Sequence, residues 1–208
     1  MGGLLDYTAA YKIMKKYGIN AAPADYVSSA QEAIKFAAGK PIVLKVISKK
    51  ALHKSKSGVV RLGLSKPEEI KSAYISLKKR AGKLKLKPYK ILAQRMSKGG
   101  IEVIIGGKTD PQFGKLVLIG LGGIYVEVFK DVALRLCPLR RYDAQAMIDQ
   151  LKSKSIVAPN PATEKMLCNV LMKVSKMLQN ENISELDLNP IIVNNNRYIA
   201  VDLRFIMA

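Results

Sequence analysis

The sequence predicts a mixed α/β protein of the α+β type that folds into two lobes. Helix patterns and β-branched strand patterns both occur along its 208 residues, but they do not alternate as in a doubly wound sheet. The positive charge is concentrated in residues 33–101, where 19 Lys and Arg stand against two acidic residues. The hydrophobic fraction of 49% and the charged fraction of 25% are typical of a folded protein, which excludes wholesale disorder.

The chain opens with two predicted helices. Residues 6–17 show an amphipathic helical period that stops at Gly18. Ser29 followed by Glu32 is a capping-box pattern, which predicts the start of a second helix that ends at Gly39.

A strand, its hairpin partner and a third helix follow. Residues 41–47 (PIVLKVI) are apolar and β-branched, as in a buried strand, and residues 59–64 are predicted to pair with them. The pattern Ser65-Lys66-Pro67-Glu68 predicts a second capping box with proline near the helix start, and therefore a helix over residues 67–82. The basic, loop-like run after this helix divides the lobes near residues 83–92.

The second half of the chain is rich in strands. Residues 91–97 and 101–106 are predicted to form two strands across a turn at Lys98-Gly99-Gly100. Helical patterns cover residues 142–151 and 161–178. The other predicted strands are 115–119, 132–136, 183–193 and 197–204, of which the last two are joined by a turn at residues 194–196.

Composition excludes several classes of protein. No run approaches 18 consecutive apolar residues, so no membrane span is expected, and the N-terminus lacks a secretory signal pattern. The two cysteines, Cys137 and Cys168, have no CxxC spacing, which argues against a zinc site and a disulfide framework. These features predict a cytoplasmic protein.

The net charge of +19 fits nucleic acid, an anionic membrane surface or a phosphate-bearing small molecule. Composition alone does not choose among these partners. The basic third contains only Phe36, Tyr74 and Tyr89 as aromatic residues, whereas nucleic-acid-binding surfaces interleave aromatic with basic side chains. A basic nucleic-acid-binding module is therefore the alternative hypothesis and not the leading one.

Lys45 lies in the middle of an apolar predicted strand. A lysine in that position loses its hydration unless an anion meets it, and an unpaired buried charge costs several kcal/mol. Lys45 is therefore a candidate phosphate clamp. The alternative is a lysine on an edge strand whose ammonium group reaches solvent.

His53 is the only histidine of the protein. Its loop, His53-Lys54-Ser55-Lys56-Ser57-Gly58, offers N–H, hydroxyl and ammonium groups that suit phosphate oxygens. Imidazole can also accept a phosphoryl group and pass it on. The alternative is an inert surface histidine.

Oxygen-bearing side chains cluster near the C-terminus. Glu185, Asp187 and Asn189 alternate along one predicted strand and so share a face. Asp202 falls on the next predicted strand, within cross-strand reach of Asn189. Oxygen ligands without sulfur or histidine suit Mg²⁺, which takes its other ligands from water and nucleotide phosphates. The alternative is a solvated polar face on an edge strand.

The glycine-rich element Gly120-Leu121-Gly122-Gly123 is a weaker signal. It is typical either of a loop that lets a ligand approach the backbone or of a bulge or turn.

Three stretches resemble one family, and they occur in the same order. They are PIVLKVIS with HKSKSG within residues 41–58, DPQFGKLVLIGLGGIYVEVFKDVALRLCPL at residues 110–139, and ISELDLNPIIV with AVDLR within residues 183–204. The chain resembles, over almost its whole length, the β subunit of ADP-forming acetyl-CoA synthetase, an ATP-grasp protein. The resemblance extends to the β subunit of succinyl-CoA synthetase.

The resemblance implies an ATP-grasp fold with the nucleotide bound between two lobes. Residues 1–20 would form an N-terminal helix packed on the C-terminal lobe, residues 21–90 the small lobe and residues 91–208 the large lobe. The implied activity is that of an ADP-forming acid–CoA ligase, in which a phosphoryl group passes between a phosphohistidine and ADP to couple acyl-CoA cleavage to ATP formation. ATP or ADP and Mg²⁺ are the implied cofactors. A CoA-binding α subunit is the implied partner, in an α₂β₂ assembly without a membrane.

The resemblance also implies roles for single residues. Asn189 and Asp202 match Mg²⁺ ligands, and Asp187 matches the carboxylate that orients the phosphohistidine. Lys45 matches the lysine that contacts the nucleotide phosphates, and His53 matches a second phosphoryl carrier. The other nucleotide-binding positions are Ser57 and Gly58 in the loop, Gln94, Arg95 and Met96 at the hinge that meets adenine, and Glu102 near the sugar.

Three residues depart from the family pattern. Lys56 and Arg95 replace residues that are usually acidic, and Val59 replaces a glycine. These departures predict a more basic nucleotide pocket and a less flexible loop.

Overall fold

The structure is a computed structural model that describes residues 3–48, 58–97, 99–123 and 131–208. Contacts within the chain divide it into two compact units. The smaller unit consists of residues 22–96, and the larger unit consists of residues 1–21 and 97–208. Both units combine an antiparallel sheet with helices, which confirms the predicted mixed class.

Six helices and ten strands lie within these described residues. The helices are α1 (Tyr7–Lys16), α2 (Ala30–Ala37), α3 (Pro67–Lys83), α4 (Arg141–Asp149), α5 (Lys154–Val157) and α6 (Pro161–Asn180). The strands are β1 (Ala24–Val27), β2 (Ile42–Ile47), β3 (Val60–Leu64), β4 (Lys90–Arg95), β5 (Ile101–Asp110), β6 (Gly114–Leu121), β7 (Val132–Leu136), β8 (Ile183–Asn194), β9 (Arg197–Ala200) and β10 (Arg204–Met207).

The smaller unit contains a four-stranded sheet in the order β1-β4-β2-β3. Every neighbouring pair is antiparallel. Alternate residues of β2 and β4 pack against α2 and α3 in one apolar core, which includes Leu44, Ile70, Leu77 and Ile91. The sheet therefore has one face covered by these helices and one face turned away from them.

The larger unit contains a second antiparallel sheet in the order β10-β8-β5-β6-β7. β9 and β10 pair one after the other with β8. α6 packs closely on β5, because a Cβ on Gly107 would lie only 2.5 Å from Leu178 Cδ1. The N-terminal segment joins this unit through the Leu5 amide, which donates to the Phe205 carbonyl at 2.9 Å.

The predicted helix starts agree with the caps that form. Asp6 and Ser29 accept hydrogen bonds from the Ala9 and Glu32 amides, at 2.8 and 3.1 Å. α3 differs in detail, because Lys66 and not Ser65 occupies the cap position. The Glu69 carboxylate compensates by accepting from the amides of both residues at 3.1 Å.

Two predictions of strand pairing were wrong. Residues 91–97 and 101–106 do not form a hairpin, because β4 pairs with β1 and β2 whereas β5 pairs with β6 and β8 in the other sheet. The predicted strand over residues 197–204 is interrupted at residues 201–203 and forms β9 and β10. The pairing of β4 also places its residues in the smaller unit, although the predicted lobe boundary at residue 90 assigns most of them to the large lobe.

None of the helices in the described ranges combines the length and the apolar character that crossing a membrane requires.

Candidate functional site

The acidic cluster lies on β8 of the larger unit. Leu186 and Leu188 are buried, so the alternation of the strand turns Glu185 and Asp187 to the opposite face. Asp187 lies opposite Gly106 of β5 and Arg204 of β10. The neighbour on one side therefore has no side chain, and the neighbour on the other side carries a guanidinium group.

Asp202 lies between β9 and β10 and not on a strand as predicted. The register against β8 is the same on both sides of this interruption, with Ile191 opposite Ala200 and Asp187 opposite Arg204. Counting between these pairs places Asp202 opposite Asn189. Both side chains are exposed, and the register of β8 against β5 shifts by one residue at the same point. Such a bulge changes the direction in which a side chain points, and bulges are common beside active sites.

Asp187 carries a charge that its surroundings do not compensate. Its Oδ1 atom is buried and has no hydrogen-bond partner among the described residues. Burial raises the pKa of the Asp187 carboxyl, the Asp202 carboxylate raises it further, Arg204 lowers it, and Glu185 raises it. The Arg204 compensation is partial, since its guanidinium also lies 3.7 Å from Glu185 and its Nε has no partner within the described chain.

These residues fit a Mg²⁺ ion that is shared with a phosphate ligand. Of the residues that the structure describes, no group of three or more His, Cys, Asp or Glu could enclose a metal alone. Mg²⁺ does not require such a group, because it commonly takes one or two protein oxygens and completes its shell with phosphate and water. Asn189 and Asp202 provide an opposed pair of oxygens, and the uncompensated charge of Asp187 favours a cation beside them.

Lys45 lies on β2, which is an interior strand of the four-stranded sheet. It is half-buried, opposite Leu92 of β4 and Val60 of β3. Its neighbours Leu44 and Val46 belong to the helix-side core, so the lysine side chain points to the other face. The alternative of a lysine on an edge strand is therefore wrong.

The hinge residues of the smaller unit have two different environments. Gln94 is 1% exposed and lies on the same sheet face as Leu92. Arg95 points to the helix side, where its guanidinium donates to the Ala37 carbonyl and lies 5.0 Å from the centre of the Phe36 ring. The amides of Arg95 and Met96 donate to the carbonyls of Pro23 and Pro41, at 2.9 and 3.1 Å. The Arg95 charge therefore does not make the sheet face that carries Lys45 more basic.

Glu102 and the glycine-rich element meet at one end of β5. The Gly122 amide donates to the Glu102 carbonyl at 2.7 Å, and a Cβ on Gly122 would lie 2.9 Å from that carbonyl. Glycine is therefore required by a close approach of two backbone segments. Glu102 lines a cavity of about 870 Å³, whose other lining residues include Ile101, Leu121, Asp131, Lys152 and Ser153.

Two of the predicted site residues, His53 and Ser57, lie outside the described residues. Gly58 follows directly, with φ at +67° and its carbonyl accepting from the Arg61 guanidinium at 3.0 Å. The larger unit thus brings Asp187, Asn189 and Asp202 together. Lys45, Gly58 and residues 94–96 belong to the smaller unit.

Sequence reasoning missed the position of Arg204 and the hydrogen bonds that Asp131 accepts, although Asp131 follows the glycine-rich element that the sequence singles out. Arg204 stands in the AVDLR stretch, but only the pairing of β10 with β8 shows that it faces Asp187. Asp131 accepts from the amides of Lys152 and Ser153 at 2.9 and 2.8 Å, so it fixes a segment that lines the cavity beside Glu102. No local pattern in the sequence links positions that are 21 residues apart.

Comparison with known proteins gives consistent matches. Residues 2–207 match the ATP-grasp domain family. The chain is 36% identical to the acetate–CoA ligase [ADP-forming] II subunit beta of Pyrococcus furiosus, over 98% of this chain and 91% of the relative. It is 35% identical to acetate–CoA ligase [ADP-forming] I of Archaeoglobus fulgidus, over 99% of this chain but only 31% of that longer relative.

The fold also matches solved structures. Acetyl-coenzyme A synthetase 1 of Ca. Korarchaeum cryptofilum, in complex with coenzyme A and Ca-AMPCP, superposes with a TM-score of 0.92 at 32% identity, over 99% of this chain and 94% of that chain. The same enzyme with Mg-AMPPCP, described with its phosphohistidine segment pointing towards the nucleotide binding site, gives a TM-score of 0.82 at 34% identity, over 98% of this chain and 92% of that chain.

Proposed function

The chain belongs to the ATP-grasp family, and we propose that it is the nucleotide-binding β subunit of an ADP-forming acyl-CoA synthetase. It interconverts acyl-CoA, ADP and phosphate with acid, CoA and ATP, together with a CoA-binding α partner in an α₂β₂ complex. The Pyrococcus furiosus relative is named as a β subunit, which supports a partner chain. Both cysteines, Cys137 and Cys168, are free thiols, which supports a reducing compartment such as the cytoplasm as the site of action.

The observation that carries this proposal is the buried, unpartnered Oδ1 of Asp187 beside Asp202. A purely structural role would pair this carboxylate fully, because an unsatisfied buried polar atom costs stability. An enzyme keeps such a group when a ligand completes its partners. An imidazole N–H provides the missing donor, and a cation offsets the combined charge of Asp187 and Asp202.

The chemical roles of the proposed reaction are assigned to named residues of this chain. Asn189 and Asp202 hold Mg²⁺ through their oxygens, Lys45 binds a nucleotide phosphate, and Asp187 orients the imidazole that carries the phosphoryl group. When bound, Mg²⁺ neutralises charge on the phosphate oxygens. Glu102 accepts hydrogen bonds from the sugar, Gln94 and the backbone of Arg95 and Met96 contact adenine, and Ser57 and Gly58 bind phosphate in the loop.

The phosphoryl transfer exchanges one bond to phosphorus for another and needs no oxidant or reductant. The phosphorus–nitrogen bond of the phosphohistidine breaks while a terminal β-phosphate oxygen of ADP forms a new oxygen–phosphorus bond. We propose that the partner's phosphohistidine is the first carrier and that His53 is a second carrier.

Reconstitution with the CoA-binding partner tests the proposal. We expect ATP formation from acyl-CoA, ADP and phosphate with both chains present. Asp202→Ala should abolish binding of Mg-ADP in calorimetry while thermal unfolding remains cooperative. Asp25→Ala is a matched control, since Asp25 is an exposed acid of the smaller unit. Unchanged Mg-ADP affinity in Asp202→Ala would contradict the assignment.

The His53 role has its own test. Phosphohistidine is acid-labile and base-stable. When the reconstituted complex is incubated with acyl-CoA and radioactive phosphate, we therefore expect acid-labile radioactivity on this subunit. His53→Asn should remove the label and stop turnover, while Mg-ADP still binds through Lys45, Asn189 and Asp202. Turnover at the wild-type rate would show that transfer runs from the partner's histidine directly to ADP.

A further inference from the structure

The smaller unit contains a cavity of about 340 Å³ that none of the predicted nucleotide-binding residues lines. Three tyrosines line it together with two lysines: Tyr26 of β1, Tyr74 and Lys78 of α3, and Tyr89 and Lys90 at the start of β4. These residues come from three separate segments, and Tyr26 lies outside the basic stretch of the sequence. The fold therefore assembles an aromatic and cationic cluster that the sequence pattern does not reveal.

The two ammonium groups lie over tyrosine rings. Lys90 Nζ is 4.8 Å from the centre of the Tyr26 ring, and Lys78 Nζ is 5.9 Å from the centre of the Tyr74 ring. Neither lysine has a carboxylate within ion-pair distance in the described ranges. Both lysines are exposed, so their charges face solvent and can meet an incoming anion.

The one acidic residue that lines this cavity already has partners. The Glu32 carboxylate accepts from the Ser28 amide at 2.8 Å and from the Ser28 hydroxyl at 2.7 Å. The Tyr74 hydroxyl donates to the Ser28 carbonyl at 2.5 Å, which holds this ring in place. The cavity thus has a fixed aromatic wall at Tyr74, half-buried rings at Tyr26 and Tyr89, and two cations.

The cavity is distinct from the proposed catalytic nucleotide site. It lies at the start of β4 around Lys90, whereas Gln94 is four residues further along the strand, about 13 Å away at 3.3 Å per residue. Tyr26 and Lys45 lie opposite the same residue, Leu92, but on the two flanking strands β1 and β2. Two strand spacings therefore separate their backbones, about 10 Å.

We propose that this cavity binds one nucleotide unit, with its base against the tyrosine rings and its phosphate between Lys78 and Lys90. Aromatic rings stack on any base, and lysines bind the backbone phosphates. A volume of about 340 Å³ stands at the lower end of the range for small-ligand sites, which suits one nucleotide and not a dinucleotide. The unit is a free mononucleotide or one position of a single-stranded nucleic acid.

The charge of the smaller unit favours the single-stranded polymer. Residues 22–96 contain 18 Lys and Arg and four acidic residues. Lys71 and Lys78 flank Tyr74 on α3, and Lys87 and Lys90 flank Tyr89, so basic side chains continue beyond the cavity on both sides. A free mononucleotide would use only the cavity, whereas a strand would also use this surrounding charge.

Fluorescence anisotropy with a short labelled oligouridylate tests the proposal on the full chain. EDTA is present, so that the Mg²⁺-dependent site does not contribute, and unlabelled AMP serves as the competitor. The double variant Lys78→Met/Lys90→Met should weaken binding about tenfold or more and reduce the slope of log K against log salt by about 1.4. Lys35→Met/Lys40→Met is the matched control, because it removes the same charge from exposed positions of the same unit that do not line the cavity.

A second pair of substitutions isolates stacking from charge. Tyr26→Leu and Tyr89→Leu keep apolar bulk and charge, so each should weaken oligouridylate about tenfold with an unchanged salt slope. Thermal unfolding and Mg-ADP binding should stay at wild-type values in all variants, which separates this site from the proposed catalytic site. If AMP competes with a dissociation constant equal to that of the oligouridylate, the ligand is a free nucleotide. If AMP binds much more weakly than the oligouridylate, the ligand is the single strand. Equal losses in the two lysine pairs, or wild-type affinity in both tyrosine variants, would overturn the proposal.

Discussion

Replacing Asp187 with Asn should make the free protein more stable while it removes catalytic turnover. The substitution keeps the shape of the side chain and removes a charge that burial, Asp202 and Glu185 all disfavour. It also gives up the attraction of Arg204, which is shared with Glu185. The unpartnered polar atom remains in the Asn side chain, but removing the uncompensated charge is worth about 1–2 kcal/mol, because burying a charged group costs more than burying a neutral amide. For a chain of this size we expect the midpoint of thermal unfolding to rise by about 2–8 °C.

The gain should depend on pH with a definite sign. The folded-state pKa of Asp187 is raised above its ordinary value of 3.8, so the ionised carboxylate destabilises the native protein at neutral pH. As pH falls through the raised folded pKa the wild type takes up a proton and the deficit shrinks. Below about pH 3.8, where both the folded and unfolded states bind the proton, Asp187→Asn and wild type should have equal stability.

Thermal unfolding with and without Mg-ADP measures both parts of this prediction. Glu185→Gln is the control, because Glu185 is a more exposed neighbour on the same strand and should change stability by less than about 0.5 kcal/mol. The reasoning is refuted if Asp187→Asn is less stable than the wild type at neutral pH, or if its reconstituted complex makes ATP at the wild-type rate. The first result would show that the carboxylate stabilises the fold.

Three further predictions concern other parts of the molecule. Lys45→Met should keep or raise the unfolding midpoint and weaken ADP binding at least tenfold in calorimetry; loss of the fold would instead make Lys45 structural. Gly107→Ala should lower the free energy of unfolding in urea by about 1–3 kcal/mol, because the new Cβ meets Leu178. Gly82→Ala has open space in α3 and should raise the free energy of unfolding by about 0.5–1 kcal/mol. Equal effects of the two substitutions would contradict the packing argument. Asp131→Asn should make the free energy of unfolding depend less on pH in the acid range. Burial raises the pKa of Asp131, but hydrogen bonds from Ser153 and Lys152 lower it more, so the folded-state pKa lies below its ordinary value. The ionised carboxylate therefore stabilises the wild type above the ordinary value of 3.8, and this stabilisation is lost as pH falls through the folded-state pKa.

Local structure was readable from the sequence where one short segment contains all the interacting groups. Asp6 and Ser29 cap their helices with amides three residues away, so composition and spacing predict those helix starts. The false hairpin at residues 91–106 shows the limit of such reasoning. A glycine pair between two apolar runs is typical of a hairpin turn, but the choice of sheet depends on partners far away along the chain.

The candidate site divides in the same way. Alternation along β8 is a local property, so the shared face of Glu185 and Asp187 could be predicted from spacing. The unpartnered Oδ1 of Asp187 could not be predicted, because it depends on Arg204 lying opposite and on Gly106 providing no side chain on the other strand. The direction of the Arg95 side chain could not be predicted either, because it depends on which residues of β4 face the helices. Arg95 faces α2, where its guanidinium donates to the Ala37 carbonyl, and not the sheet face that carries Lys45.

The interruption between β9 and β10 makes chain length a requirement of its own at this point, in addition to the identity of Asp202. Residues 201–203 connect two strands that keep one common register against β8. Deleting or inserting one residue here would move β10 by one position and exchange its two faces. Phe205, which is completely buried, would then leave the apolar interior, and the Arg204 guanidinium would enter it. Lineages of this chain should therefore keep the length of this interruption as strictly as they keep Asp202 within it.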